Sequence, residues 1–182
     1  MNSVETLART PAATPGTRGE RDQSPSAEPF DGAGPAGLGT LETRFGPVPL
    51  DPDRQFRFRG GLPGFPAVEW FQLDPIPGLE SDLLILQSVD APGVGFITLP
   101  LPEDIPLLRQ ADLADITKML AIAPGELMVL AIVTLAASGN GIEKYLNLRA
   151  PLFIDVRRKV GAQVVLADAR YPLRYRLTPT ET

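Results

Sequence analysis

The side chains that usually carry out chemistry are scarce in this sequence. It contains no histidine and no cysteine, which removes the commonest general base, the commonest metal ligand and every thiolate or disulfide. Glu103 and Asp104 are adjacent and precede Pro106, so we interpret them as loop residues rather than an acid–base pair. No G-x-x-x-x-G-K or G-x-S-x-G motif is present. We therefore predict no catalytic residue, no metal site, no cofactor and no enzymatic activity.

A protein without catalytic residues can still act by binding another protein. We select six residues as candidates for such binding. They are Phe65, Trp70, Gln87, Ser88, Asn147 and Arg149. Trp70 and Phe71 must point to opposite faces of a strand, so one should be in the core and the other partly exposed, as an interface anchor. Phe65 follows the turn residues Gly61-Leu62-Pro63-Gly64. We expect its ring to enter the core, with a partner-facing loop as the alternative.

The four polar candidates have a structural and a functional interpretation each. Gln87 and Ser88 interrupt an apolar strand, and buried polar groups need hydrogen-bond partners. We expect Gln87 to tie a neighbouring loop, with partner binding as the second interpretation. Asn147 and Arg149 alternate with Leu148 and should lie on the opposite face of a strand. That face is either solvated or, through Arg149, part of an interface.

The charge of the chain limits its partners. The net charge is −5 and the isoelectric point is about 4.8, which argues against direct binding of nucleic acid. The tight basic run Arg157-Arg158-Lys159 is interpreted as a solvated turn. The longest apolar stretch, Leu127 to Ala137, is shorter than the about 20 residues that cross a membrane. The N-terminus has no signal-peptide pattern, and we predict a cytoplasmic protein without a membrane partner.

Composition divides the chain into two parts. Residues 1–40 hold five of the 20 prolines and six of the 17 glycines, with few large apolar side chains. Such a segment buries too little surface to offset the entropy of ordering it. We predict a disordered tail at residues 1–40 and a folded β domain at residues 41–178.

The folded part reads as short strands separated by proline and glycine turns. We predict strands at Leu41–Phe45, Val48–Leu50, Gln55–Arg59, Val68–Leu73, Leu83–Val89, Val94–Leu99, Leu127–Leu135, Tyr145–Val156 and Gln163–Ala167. Gly46-Pro47 is expected to be a turn. One helix is predicted around residues 113–121, capped by Asp112 and ended by Ala123-Pro124-Gly125. The pattern favours a mostly β fold, a small antiparallel barrel-like or sandwich domain with one short helix.

Six motifs occur in the order found in one family, and together they cover about 130 residues. They are Thr43-Arg44-Phe45-Gly46, Gly61 to Phe65, Leu86 to Pro92 with Phe96-Ile97, Val129 to Thr134, Asn147 to Leu152, and Gln163 to Leu166 with Tyr171 to Arg174. In these motifs the sequence resembles the FliW family of flagellar assembly factors. The proline-rich N-terminal tail departs from the family pattern.

The resemblance implies a barrel-like fold, no enzymatic activity and two protein partners. One is flagellin, bound in the cytoplasm before export; the other is CsrA, a repressor of translation. In the family's switch, flagellin export frees FliW to bind CsrA, which relieves repression of flagellin messenger RNA. The alternative is a small β-barrel that binds a cyclic dinucleotide, but Arg54, Arg57 and Arg59 lack the R-x-x-x-R spacing of PilZ-type domains.

Overall fold

The structure is a computed structural model that describes residues 39–102, 107–139 and 141–178. Nearly all of the predicted tail, and the pair Glu103 and Asp104, lie outside the described residues. Within them the chain forms ten strands, a 3-10 turn at Pro52–Arg54 and one α-helix. In chain order these are β1 (Thr40–Thr43), β2 (Gly46–Pro49), β3 (Gln55–Phe58), β4 (Trp70–Pro75), β5 (Leu84–Ser88), β6 (Gly95–Pro100), α1 (Gln110–Met119), β7 (Leu127–Ser138), β8 (Gly141–Asp155), β9 (Val160–Gln163) and β10 (Tyr175–Leu177).

Seven strands, β3 to β9, close into a barrel. They follow one another from β8 through β7, β6, β5, β4 and β3 to β9, which pairs again with β8. Among these strands only β3 and β9 run parallel, with Phe58 opposite Gly161. β10 adds to β8 outside the ring, and β1 and β2 form a separate hairpin. The predicted β barrel with one helix is confirmed, with a parallel pair as its closing seam.

The barrel interior is packed with aromatic and branched side chains. Phe58 and Phe71 meet edge to face with ring centroids 5.5 Å apart, and Phe71 lies 6.2 Å from Phe96. Leu86, Leu130, Leu152 and Ile154 complete the buried cluster. Each such side chain contributes about 1.5–3 kcal/mol when fully buried. The barrel is therefore held together by a filled apolar core.

A second apolar layer lies on the outer face of the barrel, beneath α1 and the residues that follow β9. Leu113 and Ile116 of α1 are three residues apart and share the buried face of the helix. Leu166 and Tyr171 belong to the same cluster. They cover strand residues that include Ile85, Val129, Ala131, Val133, Leu146, Leu148 and Phe153. The helix and the C-terminal segment thus act as one cover for β5, β7 and β8.

The turn of the β1–β2 hairpin lies two residues earlier in the chain than predicted. Its turn residues are Arg44 and Phe45, and Gly46 begins β2 with a φ of +111°. The Thr43 hydroxyl fixes this turn, because it donates to the Gly46 carbonyl at 2.6 Å and accepts from the Phe45 amide at 3.1 Å. The prediction of a Gly46-Pro47 turn was wrong, because the side chain of Thr43 supplied the turn geometry.

Both predicted ends of α1 are corrected. Arg109 is the N-cap and makes no side-chain capping bond. Asp112 lies inside the first turn, where its charge suits the helix dipole. At the other end α1 stops at Met119 rather than at Ala123, and Ala121 has a φ of +51°. Carbonyl groups at the end of a helix lack partners within the helix. The Arg158 guanidinium supplies hydrogen bonds here, because it donates to the carbonyls of residues 120 and 121 at 3.1 and 2.9 Å.

The long strand β8 is interrupted by a bulge. Leu130 faces Leu152 whereas Ile132 faces Asn147, so β8 bulges between those two positions. Pro151 lies in this bulge, one of the few positions that a proline can occupy within a sheet. The following strand β9 begins at Val160 directly after a turn, not at Gln163 as predicted.

Candidate partner-binding surface

Gln87 and Ser88 lie at the end of β5 and hold the turn to β6. Gln87 Nε2 donates to the carbonyls of Pro92 and Val94, both at 2.8 Å. Ser88 Oγ accepts from the Ala91 amide at 2.8 Å. The expectation that Gln87 ties a neighbouring loop is confirmed. Both side chains are buried and these bonds position the turn, while their role in binding a partner stays a prediction.

Gln87 belongs to a row of buried glutamines that crosses three strands. Gln55 of β3 pairs with Gln72 of β4, which pairs with Gln87 of β5. Gln72 anchors the residues that follow β2, because its Nε2 donates to the Pro49 carbonyl and its Oε1 accepts from the Asp51 amide, each at 2.8 Å. The row was not predicted, because residues on separate strands align only when the register is known.

Phe65 is exposed, which overturns the expectation that its ring enters the core. Its relative exposure is 37%, and its ring rests edge to face on Phe96 with centroids 5.7 Å apart. Leu62 is buried in its place. The chain turns tightly here: Gly61 has a φ of +69°, and a Cβ on it would lie 2.1 Å from the Phe65 carbonyl oxygen. The partner-facing alternative for Phe65 is therefore the one that its placement favours.

Trp70 is half-buried and Phe71 is fully buried, as the alternation of the strand predicted. The Arg57 guanidinium lies 5.8 Å from the centroid of the Trp70 ring and 2.8 Å from Glu69. Hydrogen bonds from the Gly60 amide and from Arg57 hold the pKa of Glu69 below its ordinary value. Trp70 therefore offers an aromatic edge next to a fixed ion pair.

Asn147 and Arg149 organise the bulge of β8 and the segment that packs on it. Asn147 Oδ1 accepts from the amides of Arg149 and Ala150, both at 3.1 Å. Arg149 Nε donates to the Tyr171 carbonyl at 2.7 Å. Leu146 and Leu148 are buried on the other face, so the predicted alternation is confirmed. These contacts account for both polar side chains within the protein, and their role in binding a partner stays a prediction.

The six candidates therefore do not form one site. Phe65, Trp70, Gln87 and Ser88 belong to the part of the sheet around β4 and β5, whereas Asn147 and Arg149 lie on β8. β6 and β7 stand between these groups in the strand order. The surface that was not predicted lies between them.

That surface begins where β6 and β7 separate. The two strands pair only from Thr98–Ile132 to Pro100–Leu130, although β7 continues to Ser138. Among the described residues, no strand pairs with this side of β7 from Val133 to Ser138, which we call the open edge. A groove of about 630 Å³ lies between the strands, lined by Arg44, Phe45, Gly95, Phe96, Ile97 and Ile132 to Leu135.

An exposed apolar face adjoins the groove. Leu135, Ile142, Tyr175 and Leu177 lie on one side of the sheet formed by β7, β8 and β10, and we call them the apolar face. Leu135 is 40% exposed and Ile142 is 70% exposed, whereas Leu177 is partly buried against the outer layer. Contiguous apolar surface of this kind marks interaction sites in soluble proteins. The apolar run Leu127–Leu135 favours a central buried strand, and the exposure of Leu135 corrects the end of that prediction.

One cation, Lys144, lies on the apolar face, and two arginines contact Tyr145 and Glu143 on the other side of the same sheet. Lys144 lies opposite both Leu135 and Leu177, and Arg174 stacks 4.4 Å over the Tyr145 ring. Arg176 pairs with Glu143 at 2.5 Å. The Tyr145 hydroxyl, which also bonds Glu143 at 2.5 Å, and the nearby arginines hold the pKa of Glu143 below its ordinary value. Glu143, the carboxylate next to these arginines, is thus already bonded to Arg176 and Tyr145.

The described residues offer little for chemistry. They contain no group of three or more His, Cys, Asp or Glu side chains that could hold a metal ion. Arg54, considered for a cyclic dinucleotide, is bonded to Asp74 at 2.9 Å and to Asp51 at 3.2 Å. No helix in the described parts of the chain is long and apolar enough to cross a membrane.

Comparison with known proteins identifies the family. The model of the FliW protein family matches residues 40–177, which hold every described strand and the helix. The chain belongs to the FliW family. The resemblance to the FliW family that the sequence motifs indicated is therefore confirmed. The relatives described below are named flagellar assembly factors.

Individual relatives agree with the family match. The flagellar assembly factor FliW of Geobacillus thermodenitrificans is 33% identical over 123 residues, which cover 68% of this chain and 83% of that protein. The factor from Geobacillus sp. strain WCH70 is 31% identical over 134 residues, covering 74% and 91%. A crystal structure of the flagellar assembly factor FliW superposes with a TM-score of 0.62 at 28% identity, covering 79% of this chain and all of that one.

Proposed function

We propose that this FliW-family protein is a non-enzymatic, cytoplasmic regulator that holds one of two protein partners at a time. Flagellin is the first partner. When flagellin is exported, the freed protein binds CsrA and relieves repression of flagellin messenger RNA. The observation that supports this proposal most is the family match across residues 40–177.

The surface of the barrel is consistent with a protein-binding role. An exposed apolar face, an open edge and a half-buried tryptophan are features of recognition surfaces. Regulation by exchange requires only that two partners compete for a limiting protein, so its output depends on relative affinities and concentrations. No catalytic step is needed.

The net charge of −5 suits CsrA as a partner. A protein that binds RNA needs a basic surface to attract phosphates. Opposite charges on two proteins raise their association rate and disfavour wrong partners. We therefore expect the CsrA complex to weaken as salt is added.

The test is to mix the purified protein with flagellin and with CsrA from its host, separately and then together. Size-exclusion chromatography with light scattering should show a stable complex with each partner at micromolar concentration. Excess flagellin should reduce the amount of CsrA complex. If neither partner forms a complex under these conditions, the proposed function is wrong.

A further inference from the structure

The open edge of β7 is unusual because nothing on it discourages strand pairing. Soluble proteins normally protect edge strands with charged residues, proline, bulges or a covering element. The whole of β7, Leu127–Ser138, contains no charged residue and no proline. The irregularity in its pairing lies at Leu130–Ile132, before the open edge begins. Residues 133–138 thus present unprotected backbone groups.

The neighbouring side chains define what could cover this edge. The groove beside it has apolar walls with Arg44 at its rim. The apolar face carries Lys144 among its leucine and isoleucine side chains. Glu143 on the opposite side is neutralised by Arg176 and Tyr145. A complementary occupant would carry apolar side chains on alternate residues and carboxylates toward Arg44 and Lys144.

We propose that a partner protein docks by adding an extended segment to the open edge, Val133 to Ser138, as a further β-strand. Its alternate apolar side chains lie on the apolar face, and its acidic residues meet Arg44 and Lys144. This inference rests on the proposed function, because it takes the partner to be flagellin: a segment that carries carboxylates does not fit CsrA, which needs a basic surface for RNA. Strand addition is favoured over a docked helix because backbone donors and acceptors at the edge require partners of their own.

The N-terminal segment of the chain fits this role poorly. Residues 1–38 carry five prolines, and their large apolar side chains are limited to Val4, Leu7, Phe30 and Leu38. Proline cannot donate to a sheet ladder, and scattered apolar residues do not make the alternating pattern. The occupant is therefore expected to come from another protein.

The first experiment places a charge on the apolar face. Leu135→Glu should weaken the affinity for flagellin at least about tenfold, because the added carboxylate lies opposite Lys144, competes for that cation and repels the acidic residues of the docking segment. Leu79→Glu, at a leucine of 48% exposure away from this surface, is the matched control and should bind like the unmodified protein. Because Leu135 is already exposed, circular dichroism and urea unfolding should show both variants folded.

The second experiment tests whether backbone amides of the open edge gain hydrogen-bond partners. Hydrogen exchange is measured on the full chain alone, with flagellin and with CsrA. In the complex with the docking partner, amides in residues 133–138 that face outward should exchange at least about tenfold more slowly, because they gain strand partners. Residues 84–88 of β5, which already have strands on both sides, are the internal control and should not change.

The outcomes separate this inference from the proposed function. If neither flagellin nor CsrA binds, the proposed function fails and the inference falls with it. If flagellin binds but leaves the exchange of residues 133–138 unchanged, or if CsrA protects them instead, docking of flagellin by strand addition is wrong while the proposed function stands. Protection of these residues in the chain alone, together with a dimeric mass, would assign the edge to a second copy and overturn docking of a partner.

Discussion

At the scale of single residues, a few buried amide side chains decide where the loops of this barrel lie. Gln87 adds to the backbone bonds of the β5–β6 turn, since it donates to the Pro92 carbonyl and to the Val94 carbonyl, which also accepts from the Ser88 amide at 2.9 Å. Gln72 does the same for the segment after β2. A buried polar side chain contributes to stability only when its hydrogen bonds are made. These glutamines are therefore constraints on loop shape, and through it on the groove beside β6.

The first prediction concerns Gln87. Gln87→Leu should lower the free energy of unfolding by about 1–3 kcal/mol, because the carbonyls of Pro92 and Val94 lose a buried donor. Urea unfolding monitored by tryptophan fluorescence measures the change. Glu80→Ala, at an exposed residue of the neighbouring loop, is the control and should change stability by less than about 0.5 kcal/mol. Equal stability of Gln87→Leu and the unmodified protein would show that the turn holds itself.

At the scale of elements, the barrel depends on the four residues of β9. This strand pairs antiparallel with β8 and parallel with β3, and so completes the ring. Gly161 faces Phe58 at the parallel seam, where the aromatic ring occupies the space of a side chain. The closure of the barrel therefore requires a glycine at this position.

A methyl group at position 161 tests this closure. Gly161→Ala should destabilise the fold by about 1–3 kcal/mol, because its Cβ would overlap the Phe58 ring and interior packing tolerates overfilling poorly. Gly93→Ala introduces the same group where nothing lies within 4 Å, and should change stability by less than about 0.5 kcal/mol. Thermal unfolding of the two variants gives the comparison. If the two variants unfold at the same temperature, the Phe58 ring moves aside without a cost in stability, and closure does not require a glycine at position 161.

The helix and the C-terminal segment are joined by Tyr171. Its hydroxyl donates to Asp112 in the first turn of α1 and accepts from the Arg109 amide at 3.1 Å. The bond from the Arg109 side chain and then the Tyr171 hydroxyl hold the pKa of Asp112 below its ordinary value. The Arg109 amide is one of the unpaired donors at a helix start, so this tyrosine acts as a cap supplied from a distant part of the chain.

Removing the hydroxyl should loosen this contact. We expect Tyr171→Phe to reduce the free energy of unfolding by about 1 kcal/mol, the usual net value of a buried hydrogen bond. It should also speed hydrogen exchange in α1 more than in β7. Tyr175→Phe, the same change at an exposed tyrosine, is the control. Uniform acceleration of exchange through the barrel would contradict a local role for Tyr171.

At the scale of the whole molecule, charge is distributed unevenly along the chain. Residues 141–178 hold eight lysines and arginines and three carboxylates, whereas residues 39–139 hold six basic and thirteen acidic side chains. The mild overall charge therefore combines an acidic first part with a basic last part. Lys144 on the apolar face belongs to the basic part, whereas Arg44 at the rim of the groove belongs to the acidic part. These two cations give the proposed docking surface a local charge opposite in sign to that of the molecule.

The acid sensitivity of the fold follows from its carboxylates. The pKa values of Glu69, Asp112, Glu143, Asp155 and Asp168 all lie below their ordinary values in the folded protein. For Asp155, burial raises the pKa, but the hydrogen bonds from Arg158 outweigh it. Because the unfolded chain binds protons first as pH falls, stability is full above about pH 5 and is lost as pH drops through the folded pKa values.

Urea midpoints measured across pH test this account. With no histidine in the chain, the midpoint should be nearly constant between about pH 6 and 8, where only histidine side chains ordinarily titrate. It should then fall steadily from about pH 5 to pH 2. Asp155→Asn should make this fall shallower, because that residue no longer changes its protonation on unfolding. A midpoint that varies strongly near pH 7 would contradict the assignment.

Much of this architecture follows from local patterns. Alternation located the strand at Gln55–Arg59, and a mostly apolar run located the strand at Leu83–Val89, each within one or two residues of β3 and β5. The absence of histidine and cysteine excluded most catalytic and metal chemistry before any coordinates were available. The ordered motifs identified the family that the model of residues 40–177 then matched.

The sequence by itself thus determined the strand content, the family and the kind of chemistry that is excluded, because composition and period are local properties. Only the tertiary structure decided that Phe65 is exposed and Leu62 buried, that three glutamines align, and that β9 closes the ring. It also decided that the uncharged end of β7, which reads as core, lies at an open edge. An apolar strand has the same pattern whether its neighbour is present or absent, and register and closure are set by residues far apart in the chain.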